Sequence, residues 1–154
     1  AMSDPFDLDL NADVRIDGMD AAIHIINTGV PHAVVFTDDL ESFDVLGHGA
    51  AIRYHDHFAP NGTNANFASI LGDQHITIRT YERGVEGETL ACGTGMTACA
   101  LIHHLLNGTP SPISVDVEGG ETLEIGFVPT PNNSFTSVTL TGPADFVFQG
   151  EITL

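Results

Sequence analysis

One cysteine lies in a sequence setting that would give its thiol chemistry to perform. Cys92 is followed by Gly93, Thr94 and Gly95, and an apolar run over residues 96–106 continues directly from them. This pattern predicts a helix whose first turn starts just after Cys92, where backbone N–H groups have no helical partner. Such a helix end binds a carboxylate or a phosphate, and it favours the thiolate form of a nearby cysteine. The stretch therefore predicts an anion site beside a reactive sulfur.

The two cysteines of the chain have different surroundings. Gly93 and Gly95 would let a ligand approach the backbone closely beside Cys92. A free cysteine is more often a small buried hydrophobe, so both interpretations of Cys92 stay open at this stage. Cys99 lies within the apolar run, among alanine, leucine and isoleucine, and is predicted to belong to the core.

A carboxylate precedes the cysteine on a predicted strand over residues 74–83. Ile76, Ile78, Thr80 and Glu82 fall on one face of that strand because its side chains alternate. The isoleucines mark the inner face, so Glu82 is expected to be delivered inward, next to the anion site. The alternative is a structural ion pair with an arginine, which also buries carboxylates.

One of the eight histidines lies where it could serve a site. His32 follows a Gly-Val-Pro turn at the start of a predicted strand, where an ordinary strand-end histidine is equally plausible. A pair of His32 with Cys92 would suit a thiol hydrolase, but the sequence shows no third residue to orient it. The closely spaced histidines, at 55 and 57 and at 103 and 104, lack the carboxylate pattern of a metal motif. No metal site is predicted.

The composition excludes several classes of function. The 154 residues fit one domain, and the formal charge of −17 argues against nucleic acid or an anionic membrane as a partner. The chain has no lysine, so it cannot form the internal Schiff base of a pyridoxal phosphate enzyme. Two cysteines make no disulfide framework, and no signal peptide or long apolar run is present. A cytoplasmic location is expected.

The hydrophobic pattern predicts an α+β fold. The helix that follows Cys92 is apolar almost all round, as a helix at the centre of a domain is. Residues 3–20 are polar and acidic and are predicted to contribute little to the core. The residues after Pro112 are predicted to be all β. We expect a mixed, mostly antiparallel sheet curved around one central helix. Strands are predicted at 22–26, 33–36, 66–71, 74–83, 113–117, 121–128, 135–141 and 146–154, with a short helix at 45–54.

Three stretches together resemble the diaminopimelate epimerase family. Residues 81–95, from Tyr-Glu-Arg-Gly to Ala-Cys-Gly-Thr-Gly, resemble its C-terminal signature. Residues 29–36 (Gly-Val-Pro-His-Ala-Val-Val-Phe) resemble its Gly-Asn-Pro-His strand, and residues 58–67 (Phe-Ala-Pro-Asn-Gly-Thr-Asn-Ala-Asn-Phe) resemble its asparagine loop. The Gly-Glu-Ile at 150–152 is also similar to the end of such proteins. The matches follow the family's order.

The resemblance implies an epimerase without a cofactor that interconverts LL- and meso-diaminopimelate. It implies two similar domains, each a sheet around a helix, with one cysteine from each meeting at the site between them. The chain matches only the C-terminal half, over 1–154. Cys92 would be one of the two thiols. Cys99 cannot be the other, because seven residues along a helix place it about 10 Å away.

The resemblance also assigns roles to further residues. It implies that Glu82 and His32 help to set the protonation state of Cys92 and of the site. The backbone of Gly93 and Thr94 would hold the reacting carboxylate of the substrate. Asn64 and Arg83 would bind its distal groups. Val30 stands where many members have a substrate-binding asparagine, and Asn27 is a candidate substitute.

The expected partners are an amino-acid substrate and an N-terminal epimerase domain, with a homodimer as the other source of a second thiol. The strand at 146–154 is expected to pack on the missing half. The chain alone is expected to be inactive. Two alternatives stay open, namely a related cofactor-independent racemase or isomerase and a non-catalytic half-domain that binds amino acids.

Overall fold

The computed structural model describes residues 1–144 and 146–152 of the chain. These residues form nine strands, two α-helices and a short 3-10 turn at Asp56–Phe58. The strands are β1 (Phe6–Ala12), β2 (Ile23–Asn27), β3 (Pro31–Phe36), β4 (Asn64–Gly72), β5 (His75–Glu82), β6 (Gly87–Thr89), β7 (Ile113–Val117), β8 (Thr122–Thr130) and β9 (Ser134–Thr141). The helices are α1 (Val45–Arg53) and α2 (Gly93–Asn107).

The strands form one mixed sheet in the order β1-β2-β3-β4-β5-β7-β8-β9, with β6 also paired to β5. β3 runs parallel to β4, and β5 runs parallel to β7. The remaining pairs are antiparallel. Each parallel pair is joined through a helix, as a crossover requires. The sheet curls around α2, and this confirms the predicted α+β class.

Helix α2 is the centre of the larger core. Every residue from Gly95 to His103 is buried, and the helix packs against β2, β3, β4, β5, β7 and β8. Leu101 and Ile102 are fully buried, and burial of each such side chain stabilises the fold by roughly 1.5–3 kcal/mol. Gly108 ends the helix in the left-handed region, at a φ of 68°, where glycine is favoured.

The opposite face of the sheet is covered by α1. Val45 and Ile52 of this helix are buried in a second core with Val35, Phe67 and other residues of the central strands. Strand β3 is therefore buried on both faces, as its continuous apolar run predicts. The predicted helix at 45–54 is also confirmed.

The expectation that residues 3–20 contribute little to the core is wrong. β1 extends the sheet beside β2, and Ala12, Val14 and Ile16 are buried while the residues between them are exposed. Val14 and Ile16 follow the end of β1 at every second position after Ala12. Alternation of apolar with acidic residues is a strand pattern, so the acidic composition of this segment does not exclude it from the core. The three-residue strand β6 was also not predicted.

In the part that the structure describes, the predicted strand at 146–154 does not form in this chain, and its packing on a second domain stays a prediction. Residues 146–152 have no secondary structure, and Phe146, Val147, Phe148 and Ile152 are exposed. Gly142 and Pro143 end β9, and proline has no N–H with which to continue a ladder. Residues 153 and 154 of the prediction lie outside the described residues.

Candidate active site

Cys92 is the N-cap residue of α2. Its backbone is extended, at φ −138° and ψ 104°, and its carbonyl accepts the Met96 N–H at 2.9 Å. The side chain makes no capping hydrogen bond, and the sulfur lies 3.6 Å from Thr94 Oγ1. Within the described residues, the N–H groups of Gly93 and Thr94 have no acceptor. The helix end is thus an open set of donors at a cysteine residue that is 9% exposed.

The turn between β2 and β3 is attached to this helix end. The buried Thr28 donates its hydroxyl to the backbone carbonyl of Thr94 at 2.9 Å. Asn27 Oδ1 accepts the Gly29 N–H at 2.9 Å, so the carbonyl of the Asn27 amide is used within the turn. Sequence reasoning missed Thr28, because nothing local indicates that this turn meets a helix start 66 residues later.

His32 lies at the start of β3 and has no exposed surface. Its Nδ1 is 3.0 Å from the amide nitrogen of Asn66 on β4. Burial is the main cause of the low pKa of His32, which is lowered to about 3. The imidazole is therefore neutral at physiological pH.

Asn66 connects His32 to the start of α2. A Cβ added at Gly95 would lie 2.4 Å from Asn66 Oδ1 and 3.3 Å from Cys92 Sγ. Asn66 Oδ1 and Cys92 Sγ thus border the same space, and the distance between these two atoms cannot exceed the sum of the two distances. Position 95 requires glycine because the amide occupies the space of a side chain. Asn66 was not predicted as a site residue, and its role depends on contacts among three elements that are distant in sequence.

Asn64 lies opposite His32 in the β3–β4 pair, and Arg83 follows the last residue of β5. Asn64 is buried, and its Oδ1 accepts the backbone N–H of Arg83 at 2.8 Å. The Arg83 guanidinium donates to the carbonyl of Asn61 at 3.2 Å. Within the described residues, Arg83 is the one arginine of the four without a carboxylate within 4.0 Å. Each of the other three arginines has a carboxylate partner: Arg15 pairs with Asp13, Arg53 with Glu86, and Arg79 with Glu88.

Glu82 ends β5 on the strand face that bears Ile76 and Ile78, which pack with α2 residues in the larger core. Its side chain is half-buried. In the described part of the chain it forms no ion pair, so the alternative of a structural pair with an arginine is not observed. The turn that follows is held by Glu86, whose carboxylate accepts the Gly84 N–H at 3.1 Å.

Cys99 is fully buried in the larger core around α2, as predicted. Burial raises the pKa of its thiol, and the nearby Cys92 adds to the shift. Cys99 is therefore a protonated core residue. Neither helix in the described residues has the length and apolar character needed to cross a bilayer.

The fold resembles that of a known structure. A solved structure of a predicted epimerase from Pseudomonas aeruginosa superposes with a TM-score of 0.51 over 86% of this chain and 40% of that chain, at 15% identity. At this identity the match shows the fold alone, a curled mixed sheet around a helix.

The sequence comparisons are more specific. The family model for diaminopimelate epimerase matches residues 24–147. The diaminopimelate epimerase of Aquifex aeolicus is 45% identical over 140 residues, which are 90% of this chain and 49% of that protein. That of Hydrogenobaculum is 50% identical over 82% of this chain and 45% of its own length. This chain belongs to the diaminopimelate epimerase family, and it spans about half the length of the curated relatives that it matches.

Proposed function

We propose that this chain forms one catalytic half of a cofactor-independent diaminopimelate epimerase, with Cys92 as one of two proton-transfer thiols. The observation that carries the proposal is the position of Cys92 at the open N-terminal end of α2, in a chain of this family. The two sulfur atoms would lie on opposite faces of the substrate's α-carbon.

The reaction balances without a redox change. The thiolate takes the α-proton as the Cα–H bond breaks, and the thiol on the other face gives its proton to the carbanion. A new Cα–H bond of opposite configuration forms, and the two sulfurs exchange their protonation states. The free N–H groups of Gly93 and Thr94 suit the reacting carboxylate, whose negative charge grows when the proton leaves.

The other side chains supply recognition and proton balance. Arg83, which has no carboxylate partner among the described residues, would bind the distal carboxylate of the substrate, and Asn64 would contact its distal amino group. Asn27 can offer its amide nitrogen near the turn, where Val30 stands. Glu82 and His32 would set the protonation state of Cys92 and of the site.

The second thiol must come from outside the α2 helix. Cys99 is buried and lies about 10 Å further along α2, so it cannot reach the same carbon. The family implies an N-terminal epimerase domain as the source, and a second copy of the chain is the alternative. We expect the complete enzyme to act as an isomerase in lysine biosynthesis in the cytoplasm, and this chain to be inactive alone.

The test is exchange of the diaminopimelate α-proton in D2O, followed by NMR. It would be run on this chain alone and on a mixture with a separately expressed N-terminal half from a relative. Exchange only in the mixture supports the proposal. Exchange by the chain alone would assign the second thiol to a homodimer or to another base.

The same experiment separates the alternative functions. Exchange in neither sample, together with amino-acid binding that survives Cys92→Ala, would favour a non-catalytic binding half and contradict the proposal. Exchange of other amino acids in preference to diaminopimelate would favour a related racemase.

A further inference from the structure

The two ring nitrogens of His32 have different surroundings. Nδ1 lies 3.0 Å from the Asn66 amide nitrogen. Nε2 is buried and has no hydrogen-bond partner within the described residues. A buried polar atom without a hydrogen-bond partner destabilises the folded protein. The unpartnered Nε2 beside the proposed site therefore indicates that a bound group completes its hydrogen bond.

The orientation of the Asn66 amide decides which ring nitrogen carries the proton. The same amide nitrogen lies 3.1 Å from the backbone carbonyl of Ala33. A carbonyl can only accept, so the group that faces it must be the NH2 group and not the amide oxygen. The amide oxygen, in turn, accepts the Thr80 hydroxyl at 3.1 Å. The Ala33 carbonyl thus fixes the amide in one orientation.

The NH2 group faces His32 Nδ1 as well, so this nitrogen must be the acceptor. In a neutral imidazole one nitrogen accepts and the other carries the proton. The proton of His32 therefore lies on Nε2, where it has no acceptor in the described residues.

We propose that Asn66 is a positioning residue that holds His32 in the Nε2–H form, so that His32 donates a hydrogen bond to the anion bound at the start of α2. The anion is the reacting carboxylate of the substrate, and for this identity the inference rests on the proposed function. His32 then acts as a neutral hydrogen-bond donor, and it influences the protonation state of the site through the negative charge that it stabilises.

The same chain contains a matched reference for this device. Asn107 places its amide nitrogen 3.0 Å from His103 Nδ1 and 3.1 Å from the His103 carbonyl. His103 Nε2 lies 2.9 Å from the carbonyl of Asp73, which can only accept. His103 is thus held in the same tautomer, but its Nε2–H already has a protein partner.

The first test reads the tautomer directly, on the 154-residue chain without substrate. Long-range 1H–15N spectra distinguish Nδ1–H from Nε2–H imidazole, and the His32→Asn variant assigns the His32 signals. We expect Nε2–H at His32. An Nδ1–H form or an imidazolium at neutral pH would overturn the proposal. This result does not depend on the exchange assay, so failure of the proposed function would be seen separately.

The second test changes the tautomer. In Asn66→Asp the carboxylate can only accept, so the proton of His32 should move to Nδ1 and leave Nε2 as an acceptor. Asn107→Asp should leave the His32 signals unchanged. In the reconstituted enzyme, Asn66→Asp should lower kcat by about 10²-fold, as loss of a donor to a developing charge does. An unchanged kcat with a flipped tautomer would overturn the donor role.

Discussion

A buried histidine contacts an asparagine amide near each end of helix α2, but within the described part of the chain the hydrogen bonds of the histidine are complete only at the C-terminal end. At the C-terminal end, His103 has partners on both ring nitrogens, and His104 Nδ1 lies 2.6 Å from the Thr109 carbonyl. The Gly108 N–H donates to the His104 carbonyl at 2.8 Å. At the N-terminal end, the N–H groups of Gly93 and Thr94 have no acceptor among the described residues, and neither does the Nε2 of His32.

The difference separates the end of α2 whose polar groups are paired within the protein from the end where we propose the active site. Both ends bury a histidine against an asparagine amide, and α2 carries a cysteine in its N-cap and another in its core. Residue type therefore does not distinguish site from scaffold here. The distinction lies in the hydrogen bonds that the protein leaves unmade, because folded proteins otherwise satisfy nearly all buried polar groups. Four predictions test this distinction.

The largest effect is expected at the two cysteines. Cys92→Ser should abolish proton exchange in the reconstituted enzyme, by about 10³-fold or more, since general acid–base groups contribute roughly 10²–10⁴-fold. Cys99→Ser makes the same change in the core and should retain exchange within a few-fold. It should lower the free energy of unfolding by about 1–3 kcal/mol, because it buries a hydroxyl in an apolar setting. Kinetics and urea unfolding of both variants provide the comparison, and full activity of Cys92→Ser would refute the role of its thiol.

The next effect is expected at the two arginines near β5. Arg83→Gln should lower kcat/KM by roughly 10- to 100-fold, mainly through KM, because a hydrogen bond to a charged group contributes about 1.5–3 kcal/mol. Arg53→Gln removes a cation that Glu86 already pairs at 3.0 Å, so it should change stability more than KM. Steady-state kinetics and thermal unfolding of both variants test this. The same rise in KM in both would mean that Arg83 acts only through general electrostatics.

A smaller effect, on the free energy of unfolding, is expected at Gly95 and Gly108, the glycines near the two ends of α2. Gly95→Ala should destabilise the protein by roughly 1–3 kcal/mol through overpacking, because its Cβ would meet Asn66 Oδ1. A second change, Asn66→Ala, removes the clash, so the double variant should cost less than the sum of the two single ones. Gly108→Ala meets nothing within 4 Å and should cost about 1–2 kcal/mol from its φ alone. Additive free energies of unfolding for Gly95→Ala and Asn66→Ala would contradict the contact.

The effect that is smallest at neutral pH is a pH dependence. The pKa of His32 is lowered in the folded protein to about 3 from 6.5, so the unfolded chain binds a proton that the folded chain does not. Stability is therefore unaffected by His32 above about pH 6.5 and falls as the pH drops toward 3, by up to about 1.4 kcal/mol per pH unit. His32→Asn should reduce this slope, whereas the exposed His57→Gln should not. Equal slopes for wild type and His32→Asn would show that His32 is protonated in the fold.

The sequence predicted much of the architecture where one pattern dominated a segment. Helix α2 and strand β3 are predicted from hydrophobicity alone. Both are buried on all sides, so their sequences are apolar runs without regularly spaced polar residues. β1 was missed because the acidic composition of its segment suggests a solvated stretch, although Leu8, Leu10 and Ala12 alternate with polar residues as in a half-buried strand. The strand at 146–154 was predicted from the same kind of apolar content, yet residues 146–152 are unpaired. Apolar content alone does not supply a neighbouring strand.

The sequence by itself determined the chemistry that this chain can offer. The sequence places a cysteine before Gly-Thr-Gly and an apolar helix, and it places a glutamate and an arginine at the end of a strand. Its composition includes no lysine. Only the tertiary structure decided which of these groups meet, through the Thr28–Thr94 link, the Asn66 amide beside His32 and Gly95, and the Arg83 guanidinium without a carboxylate partner among the described residues. These contacts join residues on different strands and a helix. Their partners are fixed by the register of the sheet and the placement of α2, which no local pattern encodes.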